Sequence, residues 1–296
     1  MIYPKTNKIS DLYIWFKQSL TGIPAGRERI AVADEVFLHV LGMGRDQRVV
    51  NANERVSETG IVKLIKAQKR LNQGEPVQYV TGVSRFLDHL IHVRRGVLIP
   101  RPETEGLVLW MLQKISTHPQ RDEAKLNFLD IGTGSGCIAI SLAASLPKHH
   151  ISACDKNDKI LEVAKHNSLI NNVSVDFFNC DVLKEDSLTP ARTWDYIVSN
   201  PPYVRLSEKQ LMSKHVVDHE PECALFVKDD DPLLFYRSIT DKAKHSLKKD
   251  GWLFFEINEA MGKACRDMMI SYGFRDVEVA QDIHGRDRYV AGRLSQ

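Results

Sequence analysis

The chain has 296 residues, 43% of them hydrophobic and 26% charged, with a formal net charge of +2. That length fits two domains and that composition a packed core, while a charge so near zero argues neither for nor against a polyanionic partner. No apolar run reaches the roughly 18–20 residues of a membrane span, and Met1-Ile2-Tyr3-Pro4-Lys5 opens no apolar leader, so a cytoplasmic protein is expected.

From Ile9 to about Arg70 the apolar spacing is helical. Leu12, Trp15, Phe16 and Leu20 form one stripe, Ile30, Val32, Ala33, Val36, Phe37, Val40 and Leu41 a second, and Ile61, Leu64, Ile65 and Leu71 a third. Gly22, Pro24, Gly26, Gly42 and Gly44 punctuate them. A small helical domain ending near Gly74-Glu75-Pro76 is predicted. Tyr79-Val80-Thr81 and Ser84-Arg85-Phe86-Leu87, followed by Leu90-Ile91-His92-Val93, predict a β-hairpin turning at Asp88-His89. Pro100 and Pro102 then halt regular structure, and a helix starts near Thr104.

Beyond Lys125 strands alternate with helices. Strands are predicted at Leu126–Ile131, Ile151–Asp155, Val173–Cys180, Tyr196–Ser199, Trp252–Ile257, Val277–Val279 and Arg288–Ala291, with helices over Asp158–Ile170, Asp231–Lys248 and Glu259–Tyr272. This alternation builds an α/β fold with a mostly parallel seven-stranded sheet covered on both faces. The last two strands are joined by too few residues for a crossover, so they should pair antiparallel. Cys137, Cys154, Cys180, Cys223 and Cys265 are scattered, without C-x-x-C spacing or a His cluster. They read as reduced core thiols, and no metal is expected.

The first strand of the sheet runs through Asp130 into Gly132-Thr133-Gly134-Ser135-Gly136, and a helix follows at once. Glycines there permit a sharp turn and let a ligand touch backbone. The G-x-G-x-G spacing departs from the G-x-G-x-x-G of dinucleotide folds, and no P-loop lysine follows. The second strand ends at Asp155, placed to accept hydrogen bonds from ribose hydroxyls or, more plainly, to balance a helix dipole. Taken with the glycine loop, ribose is the better reading. Asp181, after the third strand, can accept from an adenine amine, and Asp130 is expected to face the same crevice and take an ammonium group.

The fourth strand ends in Asn200-Pro201-Pro202-Tyr203, the most specific signal in the chain. Two prolines fix the backbone, so their carbonyls are rigid acceptors. An amide or aromatic amine nitrogen is a poor nucleophile because its lone pair is delocalised. The Asn200 side-chain oxygen and the Pro201 carbonyl can each accept one N–H of such a group, orienting it and stabilising positive charge as it grows on nitrogen. Tyr203 can lie flat against the planar group.

The order Gly-Thr-Gly-Ser-Gly, Asp155, Asn-Pro-Pro-Tyr resembles that of class I methyltransferases acting on amino groups. With Val97-Leu98-Ile99-Pro100-Arg101-Pro102-Glu103-Thr104-Glu105, Glu220-Pro221, Ala224-Leu225 and Gly285-Arg286-Asp287-Arg288, the chain more closely resembles the HemK/PrmC family, over roughly residues 75 to 293. The resemblance implies a Rossmann-like class I methyltransferase using S-adenosylmethionine, held by Gly132, Thr133, Gly134, Ser135, Gly136, Asp155 and Asn200. It implies that Asn200, Pro201, Pro202 and Tyr203 grip the Gly-Gly-Gln glutamine of class I peptide chain release factors, for methylation at N5. It also implies a helical substrate-recognition domain (1–75), a β-hairpin linker (76–101) and a methyltransferase domain (102–296). The chain departs from the family at Phe226–Asp231 and Asn258, where glycines are usual, and at Val182, where some relatives carry an aromatic.

Two other functions share parts of this pattern. A methyltransferase acting on a ribosomal-protein glutamine, or on adenine N6 or guanine N2 of a nucleic acid, would present the same planar NH₂ to Asn-Pro-Pro-Tyr. A base-modifying enzyme would also need a basic segment with aromatics. Lys63, Lys66, Lys69 and Arg70 make only a modest cluster, which reads as a solvated helix face. The second is a binding protein that kept the fold and lost catalysis, against which the intact glycine loop and Asn-Pro-Pro-Tyr argue.

Overall fold

The computed structural model describes residues 4–117, 124–188 and 192–295; Met1–Tyr3, where the absence of an apolar leader was read, lie outside them. Two compact units emerge: one of Met1–Val83, Val93–Arg95 and Met212–Glu220, the other of Ser84–His92, Gly96–Leu211 and Pro221–Gln296.

The first unit holds helices α1 (Ile9–Ser19), α2 (Arg27–Leu41), α3 (Arg45–Val50), α4 (Glu58–Asn72) and α5 (Val77–Thr81). Leu12, Phe16 and Leu20 from α1 and its end, Val36 and Phe37 from α2, and Leu64 and Leu71 from α4 close one core. Of the predicted stripes, Leu12, Phe16, Leu20, Ala33, Val36, Phe37, Leu64 and Leu71 are buried, Trp15, Val32, Val40, Leu41, Ile61 and Ile65 are partly buried, and Ile30 is exposed. Ser57 caps α4, its hydroxyl accepting from the Gly60 N–H at 3.2 Å. Buried Glu75 accepts from Nε and Nη2 of Arg70, each at 2.7 Å, and from Arg95 Nε at 2.8 Å. Part of the basic cluster read as a solvated face thus serves the fold.

The strand predicted at Tyr79-Val80-Thr81 is instead α5. Pro76 supplies a helix-starting φ just before it, Tyr79 and Val80 are buried, and Gly82 ends it in the left-handed conformation. The hairpin is shorter: β1 (Val83–Phe86) and β2 (His89–His92), turning at Leu87 with φ +48°.

The second unit continues with α6 (Pro102–Ser116), β3 (Asn127–Ile131), α7 (Cys137–Ser145), β4 (His150–Asp155), α8 (Asp158–Ile170), β5 (Asp176–Asn179), β6 (Trp194–Ser199) and β7 (Val204–Arg205). The chain lends α9 (Lys214–Val217) to the first unit. It resumes with α10 (Glu222–Leu225), β8 (Phe226–Val227), α11 (Leu234–Ser246), β9 (Leu247–Glu256), α12 (Gly262–Ser271), β10 (Phe274–Gln281) and β11 (Asp287–Leu294). Seven strands form one sheet in the order β10-β11-β9-β6-β3-β4-β5. Strands β9, β6, β3, β4 and β5 are parallel, and β11 is antiparallel to both neighbours. β9 begins at Leu247, earlier than the predicted Trp252, and α11 correspondingly stops at Ser246. Cys137, Cys154, Cys180 and Cys265 are buried as expected of core thiols, whereas Cys223 is exposed. Among the described residues no helix is long and apolar enough to cross a membrane.

The strand order reverses at β3, which sits between β4 and β6. Ile131 pairs in register with Cys154 of β4 and with Ser199 of β6, so Gly132, Asp155 and Asn200 leave the sheet at one level. A crevice at the carboxyl ends of strands around such a switch point is where open α/β sheets bind ligands.

Candidate active site

That crevice is a cavity wholly within the second unit. Gly132, Thr133, Gly134, Ser135, Asp155, Asp181, Val182, Asn200, Pro201 and Pro202 line it, joined by Val97, Leu98, Pro100, Arg101 and Thr104, by Cys223 and Ala224, and by Phe235 and Ile239 of α11.

The loop after β3 is shaped by its glycines. Gly132 and Gly134 have φ of +70° and +55°, and a Cβ on either would meet almost nothing, the nearest atom being 4.0 Å away at Gly134. Both line the cavity and have open space where a Cβ would stand, as a backbone cradle requires. Gly136 does not line the cavity. It starts α7, where a Cβ would come within 3.1 Å of the Ala164 methyl, so its role is close packing of α7 on α8. The Gly132 and Thr133 N–H groups donate to the Cys154 carbonyl, both at 2.9 Å. Asn167, fully buried on α8, braces the loop from behind by donating to the Ser135 carbonyl at 2.9 Å.

Asp155 accepts from the Gly134 N–H at 3.2 Å and from the Asn157 N–H at 3.1 Å while lining the cavity. Burial pushes its carboxyl upward, against the pull of those two amides. Asp181 accepts from the Leu183 N–H at 3.1 Å and lies 3.3 Å from Lys184 Nζ, with Val182 supplying an aliphatic wall beside it. The expectation for Asp130 is not met. It is 1% exposed, does not line the cavity, and takes the Thr133 hydroxyl at 2.6 Å. Burial raises its carboxyl to about 7, against the Thr133 hydroxyl and the Ala139 amide that draw it down; through Thr133 it braces the loop from beneath.

Asn200 stands at the end of β6. Its side-chain Nδ2 donates to Thr104 Oγ1 at 3.0 Å, and Thr104 in turn donates to Glu256 Oε2 at 2.6 Å. Its carbonyl oxygen is thereby left as the polar end offered to the cavity. Pro201 and Pro202 hold the next turn rigid on the same wall. Tyr203 differs from expectation. It does not line the cavity; its ring packs against the core and its hydroxyl donates to Glu256 Oε1 at 3.0 Å. Burial first, then the neighbouring Glu256, drives its phenol pKa up.

Sequence reasoning assigned no role to Thr104, Glu256 or Asn167. Thr104 was read only as a helix start and as part of a stretch that carries the resemblance. Glu256 had a legible signal, a carboxylate closing the apolar run Leu253-Phe254-Phe255 at a strand's carboxyl end. Asn258 starts a short 3₁₀ turn by accepting from the Ala260 N–H at 3.0 Å, and donates to Glu208 Oε2 at 3.1 Å.

Two family models match different parts of the chain. The methyltransferase small domain family matches residues 110–221, and the PrmC N-terminal domain family matches residues 11–82. The release factor glutamine methyltransferase of Bacteroides thetaiotaomicron is 39% identical over 93% of this chain and 96% of its own length. That of Flavobacterium psychrophilum is 43% identical over 75% of this chain and 76% of its own length, and that of Bacillus subtilis 34% identical over 95% and 96%. Among solved structures, a Pyrococcus furiosus methyltransferase superposes with a TM-score of 0.50 at 16% identity, covering 70% of this chain and 89% of its own. The T. thermophilus 16S rRNA N2 G1207 methyltransferase, in complex with AdoMet and guanosine, gives 0.52 at 14% identity over 72% of this chain and 49% of its own. These two structures share the fold.

Proposed function

This chain belongs to the release factor glutamine methyltransferase family, and on that footing we propose that it moves a methyl group from S-adenosylmethionine to the side-chain amide nitrogen, N5, of the glutamine in the Gly-Gly-Gln motif of class I peptide chain release factors. The reaction belongs in the cytoplasm, where those factors work. One observation carries the reading of the site. The Asn200 amide spends its NH₂ on Thr104, so a carbonyl oxygen faces the cavity beside a glycine cradle.

The residues present fit the cofactor. Gly132 and Gly134 leave backbone open to its methionine portion, Asp155 offers carboxylate oxygens to the ribose, and Asp181 with Val182 suits the adenine. When bound, S-adenosylmethionine supplies an electrophilic methyl on a sulfonium sulfur. Everything else is positioning. The Asn200 oxygen and the Pro201 carbonyl accept the two N–H groups of the glutamine amide, turning its lone pair toward the methyl and stabilising positive charge as it develops. A new N–C bond replaces the S–C bond, and one proton leaves the nitrogen for solvent. The helical first unit holds the release factor; its exposed Val49 and Val50 on α3 are suited to an apolar contact.

Transfer of labelled methyl to separate candidates tests the assignment: a release factor, the same factor with the Gly-Gly-Gln glutamine replaced by glutamate, ribosomal protein, DNA and ribosomal RNA. Label should enter only the unaltered release factor. Label in nucleic acid or in the glutamate variant would refute it.

A further inference from the structure

Glu256 is a fully buried carboxylate beside the proposed reaction centre, and the mechanism above makes no use of it. It closes β9 and does not line the cavity. Both its oxygens are spent: Oε1 accepts from the Tyr203 hydroxyl at 3.0 Å and Oε2 from the Thr104 hydroxyl at 2.6 Å. Thr104 Oγ1 also receives Asn200 Nδ2 at 3.0 Å.

Proton counting gives this chain a direction. An ionised carboxylate only accepts, and a threonine hydroxyl has one proton to give. With its proton committed to Glu256, Thr104 can only accept from Asn200. Asn200 must therefore turn its NH₂ inward and its oxygen toward the substrate. A donor at position 256 would reverse each link. Thr104 could then donate to the Asn200 oxygen, the amide would turn half a revolution, and its NH₂ would meet the NH₂ of the substrate. We propose that Glu256 is a positioning residue which, acting through the Thr104 hydroxyl, fixes the Asn200 amide with its oxygen toward the substrate nitrogen. The proposal rests on the reading of Asn200 as the amide anchor.

Burial raises the pKa of Glu256; Thr104, Tyr203 and Arg288 of β11 draw it down, and Glu103 of α6 raises it. Tyr236 of α11 donates to the Glu256 backbone carbonyl at 3.1 Å, and Tyr289 of β11 and Cys137 of α7 feel its charge.

The test uses the full chain in single-turnover methyl transfer to release factor with saturating cofactor, and compares two backgrounds. Glu256→Gln places an amide donor at the head of the chain. In the native background it should slow transfer by about tenfold to a hundredfold, the scale of a misplaced catalytic contact, with cofactor affinity nearly unchanged. In an Asn200→Asp background both ends of the side chain are acceptors, so there is no orientation to lose, and Glu256→Gln, which frees the Thr104 proton for that carboxylate, should cost nothing further or recover part of the loss. Thr104→Val should slow transfer as Glu256→Gln does, and Thr104→Ser, which keeps the hydroxyl, should recover most of that loss; this pair carries the test if Glu256→Gln fails to fold. An equal loss from Glu256→Gln in both backgrounds, or full activity of Thr104→Val, would overturn the proposal. The unsubstituted protein in the same assay reports separately on the function: label entering another substrate refutes the release factor reading, while the comparison between backgrounds still stands on whichever substrate is methylated.

Discussion

Replacing Asn200 with alanine isolates the contact on which the chemistry depends. Asn200 Nδ2 is engaged by Thr104 at 3.0 Å, so truncation removes one cavity-facing acceptor and strands one lone pair of Thr104. In the ground state the substrate N–H loses its partner in a partly desolvated site, at a cost of about 1–3 kcal/mol. In the transition state that N–H is more acidic and the nitrogen more positive, and the loss rises to the roughly 2.7–4 kcal/mol typical of one preorganised polar contact. Asn200→Ala should therefore slow the chemical step by about 10²–10³-fold. Asn200→Asp keeps an acceptor and adds a charge that the developing cation favours, so it should retain more activity. Cofactor affinity should fall much less than turnover in both, because the glycine loop and Asp155 are untouched. Single-turnover methyl transfer at saturating cofactor and release factor, with calorimetry for cofactor binding, separates the two quantities. A near-native rate for Asn200→Ala would mean that Asn200 does not anchor the amide, and the mechanism would fall with it.

Asp155→Ala should weaken cofactor binding by on the order of 2–3 kcal/mol, since it removes charge-assisted hydrogen bonds to the ribose and the brace on the Gly134 N–H; unchanged affinity in calorimetry would refute the ribose assignment. Val49→Glu with Val50→Glu, on an exposed stretch of α3, should raise KM for release factor while cofactor affinity and kcat at saturation hold. An unaltered KM would remove this surface from recognition. Arg70, opposed by burial and aided by Arg95, holds the Glu75 carboxyl at about 2 against an ordinary 4.5. A lowered folded-state pKa means stability present above about 4.5 and lost as pH falls toward 2, worth roughly 2–3 kcal/mol once screening by the exposed guanidinium groups is allowed for. The stability advantage of the native chain over Glu75→Gln should thus be flat from pH 7 to 5 and shrink below; an advantage independent of pH in chemical denaturation would show that the pair does not act through charge.

The sheet was legible because its strands are short apolar runs ended by glycine, aspartate or proline, and because the Gly285-Arg286 turn leaves no room for a crossover between β10 and β11. Tyr79-Val80-Thr81 was misread for a definite reason. Aromatic and β-branched residues favour strands only weakly, and here Pro76 and Gly82 set the ends of a helical turn whose apolar side chains are buried. Ligand-facing backbone was legible at Gly132 and Gly134, but the pattern could not separate them from Gly136, whose constraint is the Ala164 methyl on another helix. Asp130 and Tyr203 carried the right chemistry for the roles assigned to them. What sequence could not supply was the partner that had already claimed each, Thr133 for one and Glu256 for the other.

That last failure bears on how the site works. Methylation of a poor nucleophile invites the search for a base, and the buried carboxylate linked to Asn200 through Thr104 is an obvious candidate. Glu256 cannot serve, because both oxygens are occupied and it is walled off from the cavity. Nor does the chemistry ask for a base: an amide nitrogen becomes acidic only as the methyl arrives, and solvent can take the proton afterwards. What the reaction needs before that moment is an amide held with its lone pair in line, and an acceptor aimed at each N–H. Rigid proline carbonyls meet part of that need without help. A side-chain amide does not, since its two ends are nearly isosteric and only hydrogen bonding tells them apart. A carboxylate placed two hydrogen bonds away from Asn200, and never touching the substrate, supplies that distinction. On this account a residue deep in β9 counts toward the reaction as much as one on the cavity wall, through the orientation it enforces.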